Sequence, residues 1–495
     1  MKQEVLRMER VCCRERGVVQ LEGFNLSIMA GEIVGLLPVN NHGLKSLLQL
    51  LQRNTPLQYG YVYYREQQIN TWRDIKRRNN RIGFIQSESC LVEGLTVADN
   101  IFVLRSGFKT WLLRPRVFRE QLAPFLEGIG ISVSADAFIE ELTDFERVVV
   151  DVLKSVVAGC KLIVLRDISA NICEAELEKI RLLLRHYTSE GISFLYIDYH
   201  FEELQRSCDK VALMSNGRVV KTLQGESLAP ESLYAYTGTY TGKIRQQIHR
   251  SEAGVSRDPY HFQVRNTSGG MLDGLSFTVA PGECVVLQNV DVEVFSEFLS
   301  ILSSDAPAEN GEILLDNKQI DFAKSGSIAV IQELPTKTML FNELSYFDNL
   351  CFLLDRRMPE IWRASRAREG IRREYAQTLG SEVFDMRVDM LSEAQKYHLV
   401  YARILTQNPK VVFCVQPFRQ ADIALRMHIM ELMQVLLDKG MALVILTVNL
   451  ADSLSLADKL IRIRSDKPEE VYTRNEFSTM PVDAPWIDLY RESLP

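Results

Sequence analysis

The chain has 495 residues, 46% hydrophobic and 24% charged, with a formal net charge of −7. That length exceeds one ordinary core and predicts at least two domains of a globular protein. The negative balance argues against nucleic acid as the main partner, and the short, interrupted apolar runs argue against a membrane span. Nine scattered cysteines without a CxxC pair read as reduced thiols, which with the lack of a secretory signal in MKQEVLRMERV predicts a cytoplasmic protein.

Along the chain the pattern repeats once, with a period of roughly 250 residues, which is domain-sized rather than a solenoid unit. LEGFNLSIMAGEIVGLL from Leu21 returns as LDGLSFTVAPGECVVLQ from Leu272, and GYVYYREQQIN from Gly60 as GEILLDNKQID from Gly311. RIGFIQSES returns as SIAVIQELP, and CKLIVLRDIS as PKVVFCVQPF. Last, ISFLYIDYHFEELQRSCDKVALM returns as ALVILTVNLADSLSLADKLIRI. Short, wholly apolar runs such as EIVGLL, KLIVL and SFLYI predict strands buried on both faces of a parallel sheet. The stretches 99–142 and 348–391 read as helical insertions, and Asn216-Gly217 between two strand-like runs predicts a tight hairpin. The reading is a domain over 1–240, a polar linker over 241–258 and a second domain over 259–495, each an α/β core with a helical subdomain.

The order and spacing of these segments resemble the ABC ATPases, in particular the tandem ATP-binding proteins of ribose/galactose-type monosaccharide importers. The resemblance covers nearly the whole chain. It implies two P-loop NTPase-like nucleotide-binding domains meeting head to tail, ATP with Mg²⁺ as cofactor, and membrane-embedded permease subunits as partners. It also implies a place at the inner face of the cell membrane, with no nucleic acid bound.

Position by position, the chemistry departs from that family. A phosphate loop needs glycines so that consecutive N–H groups converge on phosphate, then a lysine and a hydroxyl for Mg²⁺. In GEIVGLLPVNNHGLKSLLQLL, Pro38 and Asn41 stand at glycine positions, Gly43 is kept, Leu44 holds the lysine position and Lys45 comes one residue late. Pro38 fixes φ and removes a donor, whereas Asn41 tolerates a left-handed backbone. One residue is about 100° around a helix, so Lys45 is expected to point away from a phosphate. The plainer account is a surface lysine on an ordinary helix, and it is preferred. In the second copy Asn289, Val292 and Val294 replace the glycines and Phe295 the lysine, beside Asp291 and Glu293. Arg166 and Asp167 stand for the family's Asp-Glu pair in the first copy, and Val415 and Gln416 in the second. Arg166 serves either as a built-in cation or, as preferred, as an ordinary charged strand end.

The Gln loops become Gln86, Ser87 and Glu88, then Gln332 and Glu333; by resemblance these flank the permease-docking groove. The first signature loop carries Asp144 and Phe145 for its glycines; the second keeps Ser392 and Gln395 around Glu393 and Ala394. At the His switch Tyr199 precedes His200, the second copy has Val448, and Glu15 replaces the adenine-stacking aromatic. What is left for a weak nucleotide site is Asn40, Gly43, Lys45 and Ser46 with Ser392 and Gln395; no metal site is expected. The expectation is a pseudo-ATPase that scaffolds or regulates a monosaccharide-type permease, with an intact cassette ATPase as a further partner. Its rivals are a divergent but active importer ATPase using Lys45 and Asp167, and a nucleotide- or protein-binding adaptor outside transport.

Overall fold

A computed structural model describes residues 3–70 (except 16, 54 and 56), 80–102 (except 87–88), 133–233 and 262–302 (except 270–271 and 290–291). It also describes 309–319, 326–352, 366–373 and 381–480 (except 451 and 465–466), with Tyr236, Gly242 and Ile244. Most of the expected linker and of the first helical insertion, and nearly half of the second, lie outside the described residues, as do Ser87 and Glu88. The chain divides into two compact units, Met1–Gly238 and Thr239–Pro495. No helix among the described residues is long and apolar enough to cross a membrane.

In the first unit β1 (Glu4–Glu15), β2 (Val18–Met29), β4 (Tyr59–Tyr64) and β5 (Gln67–Gln68) form an antiparallel sheet in the order β2-β1-β4-β5. The second sheet is built from β3 (Ile33–Pro38), β6 (Ile82–Gln86), β7 (Leu162–Arg166), β8 (Ser193–Ile197), β9 (Lys210–Ser215) and β10 (Arg218–Gln224). Its order is β10-β9-β3-β8-β7-β6, parallel except at the β9–β10 hairpin. All six residues of β3 and all five of β8 are buried, because helices cover one face of this sheet and the antiparallel sheet the other. The hairpin turn is the expected one: Asn216 and Gly217 both take positive φ, 49° and 73°, matching the strand twist.

The second unit repeats the plan. Its antiparallel sheet runs β12 (Leu272–Val279), β11 (Phe262–Gly269), β14 (Asn310–Leu315), β15 (Lys318–Gln319). The other sheet takes β16 (Ile328–Ile331), β17 (Val411–Val415), β18 (Ala442–Thr447), β13 (Cys284–Asn289), β19 (Lys459–Arg464) and β20 (Lys467–Thr473), in that order. Phe262, Phe277, Phe298 and Phe413 meet edge-on or tilted, with centroids 5.5–6.1 Å apart, and fill the space between its layers. Arg368, Arg372 and Arg373 make exposed ion pairs with Asp348, Asp385 and Glu369.

Candidate nucleotide sites

In the first unit β3 ends at Pro38, whose register partner on β9 is Met214. The ladder continues one step further, since the Val39 N–H donates to the Met214 carbonyl at 2.8 Å. Helix α1 (Leu44–Gln52) then starts from Gly43, which takes the left-handed conformation with φ 81°. The positive φ of this loop belongs to Gly43; Asn41, which tolerates that conformation, does not adopt it. The retained glycine has a packing reason, because a Cβ there would lie 2.2 Å from the Gln20 carbonyl oxygen and 3.1 Å from the Gly217 Cα.

The loop between β3 and α1 is closed by its own groups. Asn40 accepts hydrogen bonds through Oδ1 from the His42 N–H at 3.3 Å and the Asn216 N–H at 3.1 Å. Its amide nitrogen donates to Ser215 and to the Asn216 side chain. The Leu44 N–H donates to the Asn41 carbonyl at 3.2 Å, and the His42 ring Nε2 lies 2.7 Å from the Val19 carbonyl. From the far side the Tyr199 hydroxyl donates to Asn41 Oδ1 at 2.8 Å. Donors at 39, 42 and 44 are thus engaged inside the protein, where a phosphate cradle leaves such groups for its ligand.

The lysine position is part of the core in both units. Leu44 is 2% exposed and packs with Leu47, Leu50 and Leu51 under the antiparallel sheet. Phe295, in helix Val292–Leu302, is 4% exposed. Lys45 is exposed, as its one-residue offset predicts, and Ser46 is buried. Of the second loop's substituted residues, Val294 is buried, Asp291 lies outside the described residues, and the side chains of Asn289, Val292 and Glu293 are likewise outside them.

At the strand ends, Arg166 is half-buried and sits in register between Gln86 and Ile197. Asp167 takes φ 53°, donates its N–H to the Ile197 carbonyl at 2.9 Å and is buried. Next to it lies a cluster the sequence reading missed. Ser169 donates to Asp198 Oδ2 at 2.7 Å, while the backbone N–H and ring Nδ1 of His200 reach Asp198 Oδ1 at 2.9 and 3.1 Å. Burial alone would raise the Asp198 pKa; the hydrogen bond and charge of His200, with Ser169, hold it below the ordinary value. His200 Nε2 is also buried, so the imidazole faces the interior and ties the loop after β7 to the loop after β8. The signal for this was the DYH triplet, with its acid two residues before the histidine.

The signature positions are occupied too. Thr143 caps helix α2 (Asp144–Val157) in a box with Glu146; Asp144 accepts from the Asn171 amide at 2.9 Å; Lys179 lies 5.6 Å over the Phe145 ring. In the second unit Ser392 and Gln395 form the capping box of the helix Glu393–Gln407. Glu393 accepts from Thr336 at 3.1 Å, and Arg419 pairs with Glu333. Gln332 is exposed and donates its N–H to Met339 Sδ, while Gln416 is buried with φ 43° and its N–H on the Leu446 carbonyl. Val415 offers no ligand atom and Arg166 carries a positive charge, which leaves Asp167 as the carboxylate at the first of these strand ends. Among the described residues no group of three His, Cys, Asp or Glu could hold a metal ion.

The family model described as ABC transporter matches residues 21–167. The ribose import ATP-binding protein RbsA 3 of Rubrobacter xylanophilus is 24% identical over 482 residues, covering 96% of each chain. The xylose import ATP-binding protein XylG of Moorella thermoacetica is 23% identical over 495 residues, covering 96% of this chain and 97% of its own. Among solved structures, one titled RNase-L Inhibitor aligns with TM-score 0.59 at 14% identity over 95% of this chain and 93% of that one, a likeness of fold alone. Residues 21–167 thus match the ABC transporter model, the fold is an ABC ATPase-like α/β fold, and over nearly its whole length the chain resembles the ATP-binding proteins of ribose and xylose importers.

Proposed function

We propose that this chain is a cassette subunit of a monosaccharide-type importer in which the fold is kept for docking and regulation while ATP hydrolysis is lost or very slow. The cassettes are 1–240 and 259–495, joined by 241–258, at the inner face of the membrane. Permease subunits dock beside Gln86, Ser87 and Glu88 and beside Gln332 and Glu333, and an intact cassette ATPase is a further candidate partner. The observation that carries this reading is the buried apolar side chain at both lysine positions, Leu44 and Phe295. Losing a single electrostatic stabiliser of such a transition state commonly costs about 3–4 kcal/mol. With the ammonium, the acidic strand end and the signature glycines all replaced, little rate above background is expected.

The exposed Lys45 on the first turn of α1 favours one rival, a divergent ATPase that recruits it with Asp167. Calorimetric titration with ATP, with and without Mg²⁺, followed by a phosphate-release assay on the same sample, separates the two. Binding without turnover, or no binding, fits the proposal. Phosphate release at rates ordinary for transport ATPases, abolished by Lys45→Ala, would overturn it.

A further inference from the structure

The outer face of the first unit's antiparallel sheet carries a row of tyrosines. Alternate residues of a strand share a face, so Tyr59, Tyr61 and Tyr63 of β4 stand on one side while Val62 and Tyr64 join the core. Tyr59 is 57% and Tyr61 46% exposed, and the Tyr61 and Tyr63 ring centroids lie 6.3 Å apart. The Arg7 guanidinium, opposite Tyr63 on β1, sits 4.0 Å over that ring. On its other side Arg7 is in register with Ser27 of β2, so the surface continues across the sheet. There it meets a groove of about 500 Å³, lined among others by Arg7, Asn25, Ser27, Lys210, Thr222 and Gln224. Ligand pockets commonly span about 300–1,000 Å³.

The second unit serves as a control. Its β14 pairs with β11 as β4 pairs with β1, which puts Asn310 and Glu312 where Tyr59 and Tyr61 stand. Glu312 forms an exposed ion pair with Arg265 across the strands at 2.9 Å. The same sheet plan is therefore built with polar residues at these places, and strand formation does not require the exposed rings.

Charge and hydrogen bonding narrow the ligand. Glu4 and Glu9 both pair with Arg7, and Glu32 pairs with Lys210, so three carboxylates face two cations and a phosphate is disfavoured. Asn25 Oδ1 already accepts the Arg10 N–H at 2.9 Å. Hydroxyls and amides that can donate remain, on Ser27, Thr222, Gln224 and the tyrosines. A saccharide, whose hydroxyls donate as often as they accept, would bring donors to acceptors that are already engaged. A proline-rich segment in the polyproline II form instead offers carbonyl acceptors, few N–H groups and apolar rings. Its residues two apart are separated by about 6.2 Å along the axis, close to the 6.3 Å between the Tyr61 and Tyr63 rings. Such a helix is preformed, and aromatic-lined grooves capture it at a small entropic cost. We propose that the Tyr59–Tyr61–Tyr63 face and its groove bind a proline-rich segment of a partner protein. Nothing in this face depends on whether nucleotide turnover is kept.

The test titrates the full chain by calorimetry with blocked decaproline, Ac-(Pro)₁₀-NH₂, against Ac-(Gly-Ser)₅-NH₂. Decaproline is expected to bind at least tenfold more tightly. Tyr61→Ala and Tyr59→Ala should each weaken it at least fivefold at an unchanged melting temperature, because both rings are exposed. Tyr61→Phe keeps the ring and should keep most of the affinity, and Glu312→Ala, at the matching place in the second unit, should change nothing. Equal binding of the two peptides, or full affinity in both alanine variants, would overturn the proposal. So would tighter, Tyr61-dependent binding of maltoheptaose or of single-stranded decathymidine, which would assign the face to a saccharide or to nucleic acid.

Discussion

Replacing Leu44 by lysine puts the family's ammonium back at its expected position, and the structure says that the fold will resist. Leu44 is 2% exposed in a cluster with Leu47, Leu50 and Leu51. Truncating such a leucine to alanine costs about 2–5 kcal/mol, and a lysine adds the desolvation of an ammonium to that loss. Some of this is relieved if the stem bends outward, so about 3 kcal/mol is a reasonable floor. Since 1.36 kcal/mol is about tenfold, local opening of α1 should become roughly a hundredfold more frequent. Hydrogen exchange by mass spectrometry on peptides covering Ile33–Gln52 reads this directly, with Lys45→Ala as the control, expected within about 0.5 kcal/mol because it is exposed. If Leu44→Lys exchanges like wild type and gains ATP binding, the start of α1 can rotate to present position 44, and the core-packing account is wrong.

Asn40→Ala removes the acceptor for the His42 and Asn216 amides and should cost about 1–2 kcal/mol, visible as faster exchange in the turn at Asn216–Gly217. Gly217→Ala should be far worse, since the added Cβ would sit 2.0 Å from the Gln20 carbonyl oxygen at a φ of 73°; soluble yield and melting temperature report it. Glu203 is buried beside Tyr196, Ser207 and Arg181, and burial raises its pKa from 4.5 to about 7 despite the opposing Ser207 and Arg181 contacts. Because the unfolded chain gives up this proton first, stability is full below about pH 4.5, falls as pH rises toward 7 and is level beyond, by at most about 3 kcal/mol. Denaturant midpoints measured across that window should lose this slope in Glu203→Gln. Asp151, raised by burial to about 6, adds the same sign at the lower end of the window.

The sequence by itself determined the architecture. Five paired segments in one order gave the duplication, and wholly apolar runs gave the central strands, because a strand covered on both faces admits little else. Asn-Gly between two strands gave the β9–β10 turn, since few residues accept positive φ at both positions. Substitution at the phosphate-loop positions was legible as well, because a missing lysine is missing in any conformation.

Tertiary structure decided what the substitutes do. Spacing put Lys45 one residue past the lysine position, but only packing showed Leu44 and Phe295 in the cores. No local pattern links Asn40 to Asn216, or Tyr199 to Asn41, at separations of 176 and 158 residues. Backbone patterns are written in short-range periodicity. Whether a donor is satisfied depends on which distant atoms the fold brings within about 3 Å of it.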